Sequence, residues 1–277
     1  MIFGPDPRPI CGLRGYENGT VSYKIAIQMS YFFSSLGEFS EYSALVVRRV
    51  FSRRYTLDSL MTQMHRIGVE SLSVVNLCSF FIGLVLVIQT AAMLARFGAK
   101  SQVGMVVSAS FVREIGPVFA AVMFTGRIGT GIAAELGSMV VTEQIDAYRV
   151  FGADPIGRLA VPRVLATTLM LPPIILIANL VGIFAGYLLA RFHLGVSGDI
   201  YLARSFEILT HTDLIGCVIK GVAFGLTVGL IATHIGLKTA RATEAVGLST
   251  TKTMVQGVIA ILVLDLMLAK ILVAVQS

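Results

Sequence analysis

Charge is scarce in this chain. Asp, Glu, Lys and Arg make up 14% of its 277 residues against 55% hydrophobic residues, and the mean hydropathy is +0.81. Soluble domains carry about 25% charged residues, so these figures exclude an ordinary water-soluble domain and place the chain in a bilayer. Cysteine is also sparse. Cys11, Cys78 and Cys217 lie far apart with no CxxC spacing, which argues against a metal centre or disulfide framework and leaves them as small apolar fillers. No Gly-Lys dipeptide occurs, so the chain has no phosphate loop of the GxxxxGK[ST] kind, and any ATP that drives it must be bound by another chain. It also lacks HExxH and GxSxG, and His65, His193, His211 and His234 are scattered; catalysis is not expected. Residues 1–24 lack the apolar stretch of a secretory signal, so the first span is expected to direct insertion.

What is present is a series of long apolar runs. Five reach the roughly 20 residues needed to cross a bilayer as a helix: about 67–95, 103–124, 164–189, 214–235 and 254–275. The expected fold class is an all-α polytopic membrane protein. Residues 1–28, rich in Gly and Pro, read as an irregular tail, residues 29–66 as an amphipathic region, and residues 67–277 as the transmembrane domain. In the amphipathic region Phe32, Leu36, Phe39, Val46, Val47 and Val50 recur at helical spacing ahead of a basic end, Arg48, Arg49, Arg53 and Arg54. Such a helix lies in the headgroup layer or packs as a soluble helix on the protein's own surface. The net charge of +6 does not imply nucleic acid, because the basic residues cluster at the ends of apolar runs. Their distribution places the N-terminus in the cytoplasm and, with five spans, the C-terminus outside.

Several residues inside the apolar runs are candidates for function. Arg113 and Glu114 fall about ten residues into the second span, where a charge is costly and must avoid lipid. As helix neighbours they point about 100° apart, so each needs its own partner. Pro117 has no amide to offer the Arg113 carbonyl, which is left as a free acceptor. The pair either lines a cavity for a charged headgroup or joins helices structurally. Lys220, in the fourth span, either snorkels to the interface or faces the same cavity. Asp265, in the fifth span, calls for a partner on another helix and reads as structural. Gly182 with Gly186, and Gly221, Gly225 and Gly229, offer small faces for close helix packing.

Between the second and third spans, Ile132, Leu136, Met139, Val140, Val150 and Phe151 mark one apolar helical face, and Glu135, Thr142, Asp146 and Arg149 a polar one. Gly152 suits the residue after a helix, and Asp154-Pro155 suits the start of the next. A helix bounded in this way is either an ordinary loop helix or a rigid lever for a soluble partner. Gly126, Gly129 and Gly131 follow an apolar helix and do not have GxGxxG spacing, so they do not read as a nucleotide loop.

The run Arg113-Glu114-Ile115-Gly116-Pro117, with Gly126-Arg127, Glu135, Thr142-Glu143-Gln144, Asp154-Pro155 and Pro162-Arg163, resembles the MlaE (YrbE-like) permeases of ABC transporters that move lipids between bacterial membranes. The resemblance extends from about Ile67 to the C-terminus. It implies a bacterial inner-membrane permease, with a periplasmic C-terminus, that handles phospholipid. It further implies a homodimer, a cytoplasmic ATPase that binds the ATP, and a periplasmic MCE-domain lipid-binding protein. By the same resemblance Arg113, Glu114 and Lys220 would line the lipid cavity. Glu135, Thr142, Glu143, Asp146, Tyr148 and Arg149 would belong to the coupling helix against the ATPase. Two alternatives are a proton-coupled secondary transporter using Glu114 and Asp265, and a non-transporting membrane anchor for partner proteins.

Overall fold

The computed structural model describes residues 21–52, 56–193, 195 and 197–276; residues 1–20 of the expected tail, and Arg53 and Arg54, lie outside the described residues. Among the described residues eight helices follow one another: α1 (Val21–Phe51), α2 (Leu57–Ala95), α3 (Lys100–Val141), α4 (Gln144–Val150), α5 (Val161–His193), α6 (Gly198–Glu207), α7 (His211–Leu237) and α8 (Thr243–Gln276). Five of them, α2, α3, α5, α7 and α8, are long and apolar enough to span a membrane. The protein is an all-α polytopic membrane protein. Two compact units divide it, Met1–Leu45 and Val46–Ser277, and the described part of the first is helical. Because α1 begins at Val21, residues 21–28 are helical and not an irregular tail. Likewise, residues 57–66 continue into the first span within the single helix α2.

The largest departure from the sequence reading is α3. Its 42 residues correspond to about 63 Å at 1.5 Å per residue, so the second span runs on through the segment expected to form a separate helix. Ile132, Ala133, Leu136 and Gly137 are buried, and a methyl added at Gly236 of α7 would lie 2.9 Å from Leu136 Cβ. Packing against α7 therefore takes up the apolar face that the sequence assigns to a surface helix. The chain turns only at Glu143, whose φ of 58° is in the left-handed region, and the short α4 then begins. Val150 and Phe151 thus sit on a different helix from Ile132 and Leu136.

Two π-turns, Phe111–Ile115 and Thr125–Gly129, interrupt the α-helical path of α3. At the first, the Gly116 amide donates to the Phe111 carbonyl. This wider turn passes Pro117, and the Arg113 carbonyl takes a partner from another helix, as described below. A third π-turn, Ile156–Ala160, leads into α5. The α4 exit follows the sequence signals closely. Gly152 has φ 70°, its amide donates to the Arg149 carbonyl at 3.0 Å, and the Ala153 amide donates to the Tyr148 carbonyl at 2.9 Å. That pairing is a Schellman cap. Asp154 Oδ1 then accepts the Ile156 amide at 3.2 Å.

Glycine faces bring the spans together. A methyl at Gly221 would lie 2.9 Å from Pro172 Cα, one at Gly225 would lie 2.5 Å from the Thr167 carbonyl oxygen, and one at Gly229 would strike the Thr167 hydroxyl. The three glycines therefore seat α7 directly on the α5 backbone. Gly182 receives the Phe111 ring and lies against Gly83 of α2, while Gly186 receives the Tyr201 phenol. Tyr201 anchors α6 and is fully buried; burial pushes its phenol up to about 12. Overpacking of such a contact costs about 1–3 kcal/mol. Gly225→Ala is accordingly expected to lower the unfolding midpoint of the detergent-solubilised protein, whereas Gly131→Ala, with open space around it, is expected to leave it unchanged.

Candidate functional site

Five charged side chains from α3, α7 and α8 meet inside the helical bundle. Arg113 donates to Asp213 through two nitrogens, Nε to Oδ1 at 2.8 Å and Nη2 to Oδ2 at 3.2 Å. Asp213 lies in the first turn of α7, fixed by a capping box in which its Oδ2 also accepts the Thr210 amide at 3.0 Å. About two turns farther along α7, Lys220 Nζ donates to Glu114 Oε2 at 2.7 Å and to the Arg113 carbonyl at 2.9 Å. That carbonyl is the acceptor Pro117 leaves free. Asp265 Oδ1 of α8 lies 2.9 Å from the same ammonium as an ion pair, off the line of a directed hydrogen bond.

Burial divides the cluster into anchors and open groups. The side chains of Asp213 and Lys220 are each 1% exposed, whereas Arg113 is 44% and Glu114 47% exposed. An ammonium has three protons, and three acceptors surround Lys220. It neither snorkels nor faces open space; it orients Glu114. The open surface consists of the exposed parts of the Arg113 guanidinium and the Glu114 carboxylate. These two neighbours do take different partners, as their angular separation on the helix requires. Asp213 is missing from the sequence-derived site because it falls where the apolar run begins, although the Thr210-x-x-Asp213 capping pattern marks the helix start that positions it.

Removing Lys220 would leave two carboxylates facing each other in a low-dielectric environment, so the cluster is interdependent. Asn179 adds a buried neighbour, with its amide nitrogen 3.3 Å from Cys217 Sγ and its Oδ1 against Gly116. It fixes the spacing between α5 and the π-turn that carries Arg113.

A second group of residues surrounds α4. Val150 and Phe151 are 84% and 85% exposed, and Gln144, Ala147, Tyr148, Phe151, Ala153 and Arg158 line a groove of about 360 Å³. An apolar tip beside a groove is the form of a docking surface.

Residues 60–271 match the family described as permease MlaE. The chain belongs to the MlaE permease family. It is 33% identical over 244 residues to the intermembrane phospholipid transport system permease protein MlaE of Haemophilus influenzae, an alignment covering 87% of this chain and 93% of that protein. A probable ABC transporter permease protein of Rickettsia typhi is 34% identical over 241 residues, covering 87% and 93%. One from Synechocystis is 35% identical over 218 residues, covering 79% and 81%.

In this MlaE-family chain the residues expected to form one coupling helix are spread over three elements. Glu135 belongs to α3, where its two oxygens accept Arg163 Nη2 of α5 at 2.7 Å and Arg66 Nη1 of α2 at 3.2 Å. It braces three spans instead of facing outward from a connecting loop. Thr142 closes α3 by donating to the Ser138 carbonyl at 2.9 Å, and Glu143 makes the left-handed turn. Asp146, Tyr148 and Arg149 lie on α4. Asp146 accepts Arg149 at 3.0 Å and also Arg241 from the connection between α7 and α8. Tyr148 is half-buried and packs against the main core. Arg49, at the end of α1, pairs at 2.9 Å with Asp154 beyond α4. Arg241, Arg163 and Arg49 have no local sequence pattern that assigns them these partners, since each pairs across a long stretch of chain.

Proposed function

We propose that this chain is the membrane-embedded permease subunit of an ABC-type system that moves glycerophospholipid across or out of the bacterial inner membrane. It works as a homodimer, with α4 facing a cytoplasmic ATPase that binds the ATP and the opposite end facing a periplasmic MCE-domain lipid-binding protein. The N-terminus is cytoplasmic and the C-terminus periplasmic. The observation that carries this reading is the pair Arg113 and Glu114, half-exposed on adjacent positions of a spanning helix and held in place by buried counter-charges. Charges inside a span are costly and persist where they serve a function. Here the guanidinium fits a lipid phosphate, and the half-exposed Glu114 carboxylate accepts hydrogen bonds from polar groups of the headgroup. Lys220, Asp213 and Asp265 hold these two groups and do not touch the lipid. The name of the Haemophilus relative and the ABC permease names of the others support the same reading.

The test is ATP-driven lipid transfer in proteoliposomes containing the chain, its ATPase and the MCE-domain protein. A charge-assisted hydrogen bond is worth about 1.5–3 kcal/mol, so Arg113→Lys, which keeps a cation beside Asp213 but loses the guanidinium fork, and Glu114→Ala, which leaves Lys220 paired with Asp265, are each expected to lower transfer by roughly tenfold or more with the complex intact. Unchanged transfer in both variants would reduce the chain to a membrane anchor. Lipid movement by the purified chain alone under a proton gradient would instead favour a secondary transporter using Glu114 and Asp265.

A further inference from the structure

Four spans, α3, α5, α7 and α8, run between the α4 end of the molecule and the level of the ionic cluster, and two of them, α3 and α5, are interrupted. Between Val141 and Glu114, α3 contains the π-turn Thr125–Gly129. The route through α5 opens with the π-turn Ile156–Ala160 and contains Pro172 and Pro173. By contrast, α7 and α8 are both unbroken α-helices without proline; α7 is seated on the α5 backbone by Gly221, Gly225 and Gly229, which leaves the 34-residue α8. Its Asp265 lies 22 residues from its first residue, about 33 Å along the axis, and pairs with Lys220. Interrupted helices absorb displacement at their defects, while an unbroken helix transmits it.

The connection that leads into α8 is joined to α4 by a side chain that is itself 64% exposed. Arg241, in the connection between α7 and α8, donates to Asp146 and lies 3.8 Å from Glu143. The base of this connection is rigid, because the Thr239 and Ser249 hydroxyls share a buried hydrogen bond at 2.8 Å and Thr239 packs against Gly137 of α3. Farther along, a methyl added at Gly257 of α8 would lie 2.6 Å from Thr125, so α8 is guided along α3 at its second π-turn.

We infer that Arg241 links α4 mechanically to α8, and that α8 is the rod through which movement of a partner at α4 reaches the Asp265–Lys220–Glu114 cluster. This rests on the functional reading above. Arg241 is a positioning residue: it touches neither lipid nor ATP, and it acts by holding Asp146. Displacing α8 would draw Asp265 away from Lys220 or press it closer, which changes how firmly the ammonium holds Glu114. The polar Asp146 thus serves the inner architecture of the chain, while the apolar tip of α4 remains available for the partner.

The experiment measures lipid transferred per ATP hydrolysed by the full complex in proteoliposomes. Arg241→Glu is expected to leave complex recovery and ATP hydrolysis within about twofold of wild type but to lower transfer per ATP by about tenfold, within the usual range of a coupling free energy. Arg241→Lys is expected to retain most of the coupling. The exchange of charges in Asp146→Arg with Arg241→Asp is expected to restore transfer per ATP to within about threefold of wild type, as a pairwise interaction requires. If Arg241→Glu does not fold, Arg241→Gln is measured in its place with the same expectation. Full transfer per ATP in these single variants, or equal loss in the single and the exchanged variants with the complex intact, overturns the inference alone. A wild-type complex that moves no lipid with ATP overturns the functional reading and this inference with it.

Discussion

Lys220→Met is expected to destabilise the protein by about 3 kcal/mol, the low end for a broken buried pair because Glu114 is half-exposed, since it leaves the carboxylates of Glu114 and Asp265 facing each other without their shared cation. The loss would appear as a large drop in the unfolding midpoint in detergent. It should be reversible by further substitution. Combining Lys220→Met with Glu114→Gln and Asp265→Asn removes all three charges, and replacing a whole buried ionic group by neutral side chains is often close to neutral in stability. The triple variant is therefore expected to recover most of the midpoint and still to lack lipid transfer, since the negative charge at Glu114 is gone. That split would separate the structural role of Lys220 from the functional role of Glu114. An unchanged midpoint in Lys220→Met alone would mean that the ammonium is hydrated and not enclosed.

The second large effect is expected at the tip of α4. Val150→Asp combined with Phe151→Asp should abolish recovery of the ATPase with the chain, because a central apolar anchor of an interface contributes about 2 kcal/mol or more, roughly thirtyfold in affinity for each. Both side chains are exposed in the isolated chain, so its own stability should move by no more than about 0.5 kcal/mol. Tyr148→Ala provides the contrast. Tyr148 lines the groove and also packs on the core, so its loss is expected to lower stability and ATPase recovery together. Equal ATPase recovery with the doubly charged tip would place the docking surface elsewhere.

Much of this architecture is legible in the sequence because the physics acting on it is local. Membrane-length apolar runs give the five spans. Gly152 and Asp154-Pro155 give the exit from α4, because cap geometry depends on a few adjacent residues. The glycine repeat Gly221, Gly225 and Gly229 gives a close helix contact, and the missing Pro117 amide gives the free Arg113 carbonyl. What remains hidden depends on residues distant in the chain. Nothing near Ile132 and Leu136 indicates that α7 will cover them, so an extension of α3 reads as a separate surface helix. The absent amide at Pro117 signals a disturbed helix, but whether a π-turn or a break results depends on the packing of Gly116 against Asn179. Glu135 reads as part of an outward polar face until Arg66 and Arg163 are brought beside it from two other spans.

The glycine contact between α2 and α5 has a further consequence. Where Gly83 lies against Gly182 and the Phe111 ring fills the remaining space, the backbones close a wall too narrow for a hydrocarbon tail. The charged groups that follow Phe111, Arg113 and Glu114, pair with Asp213 and Lys220 of α7. In the proposed transport role, an acyl chain whose headgroup reaches Arg113 and Glu114 does not enter between α2 and α5 but from a flank away from that wall.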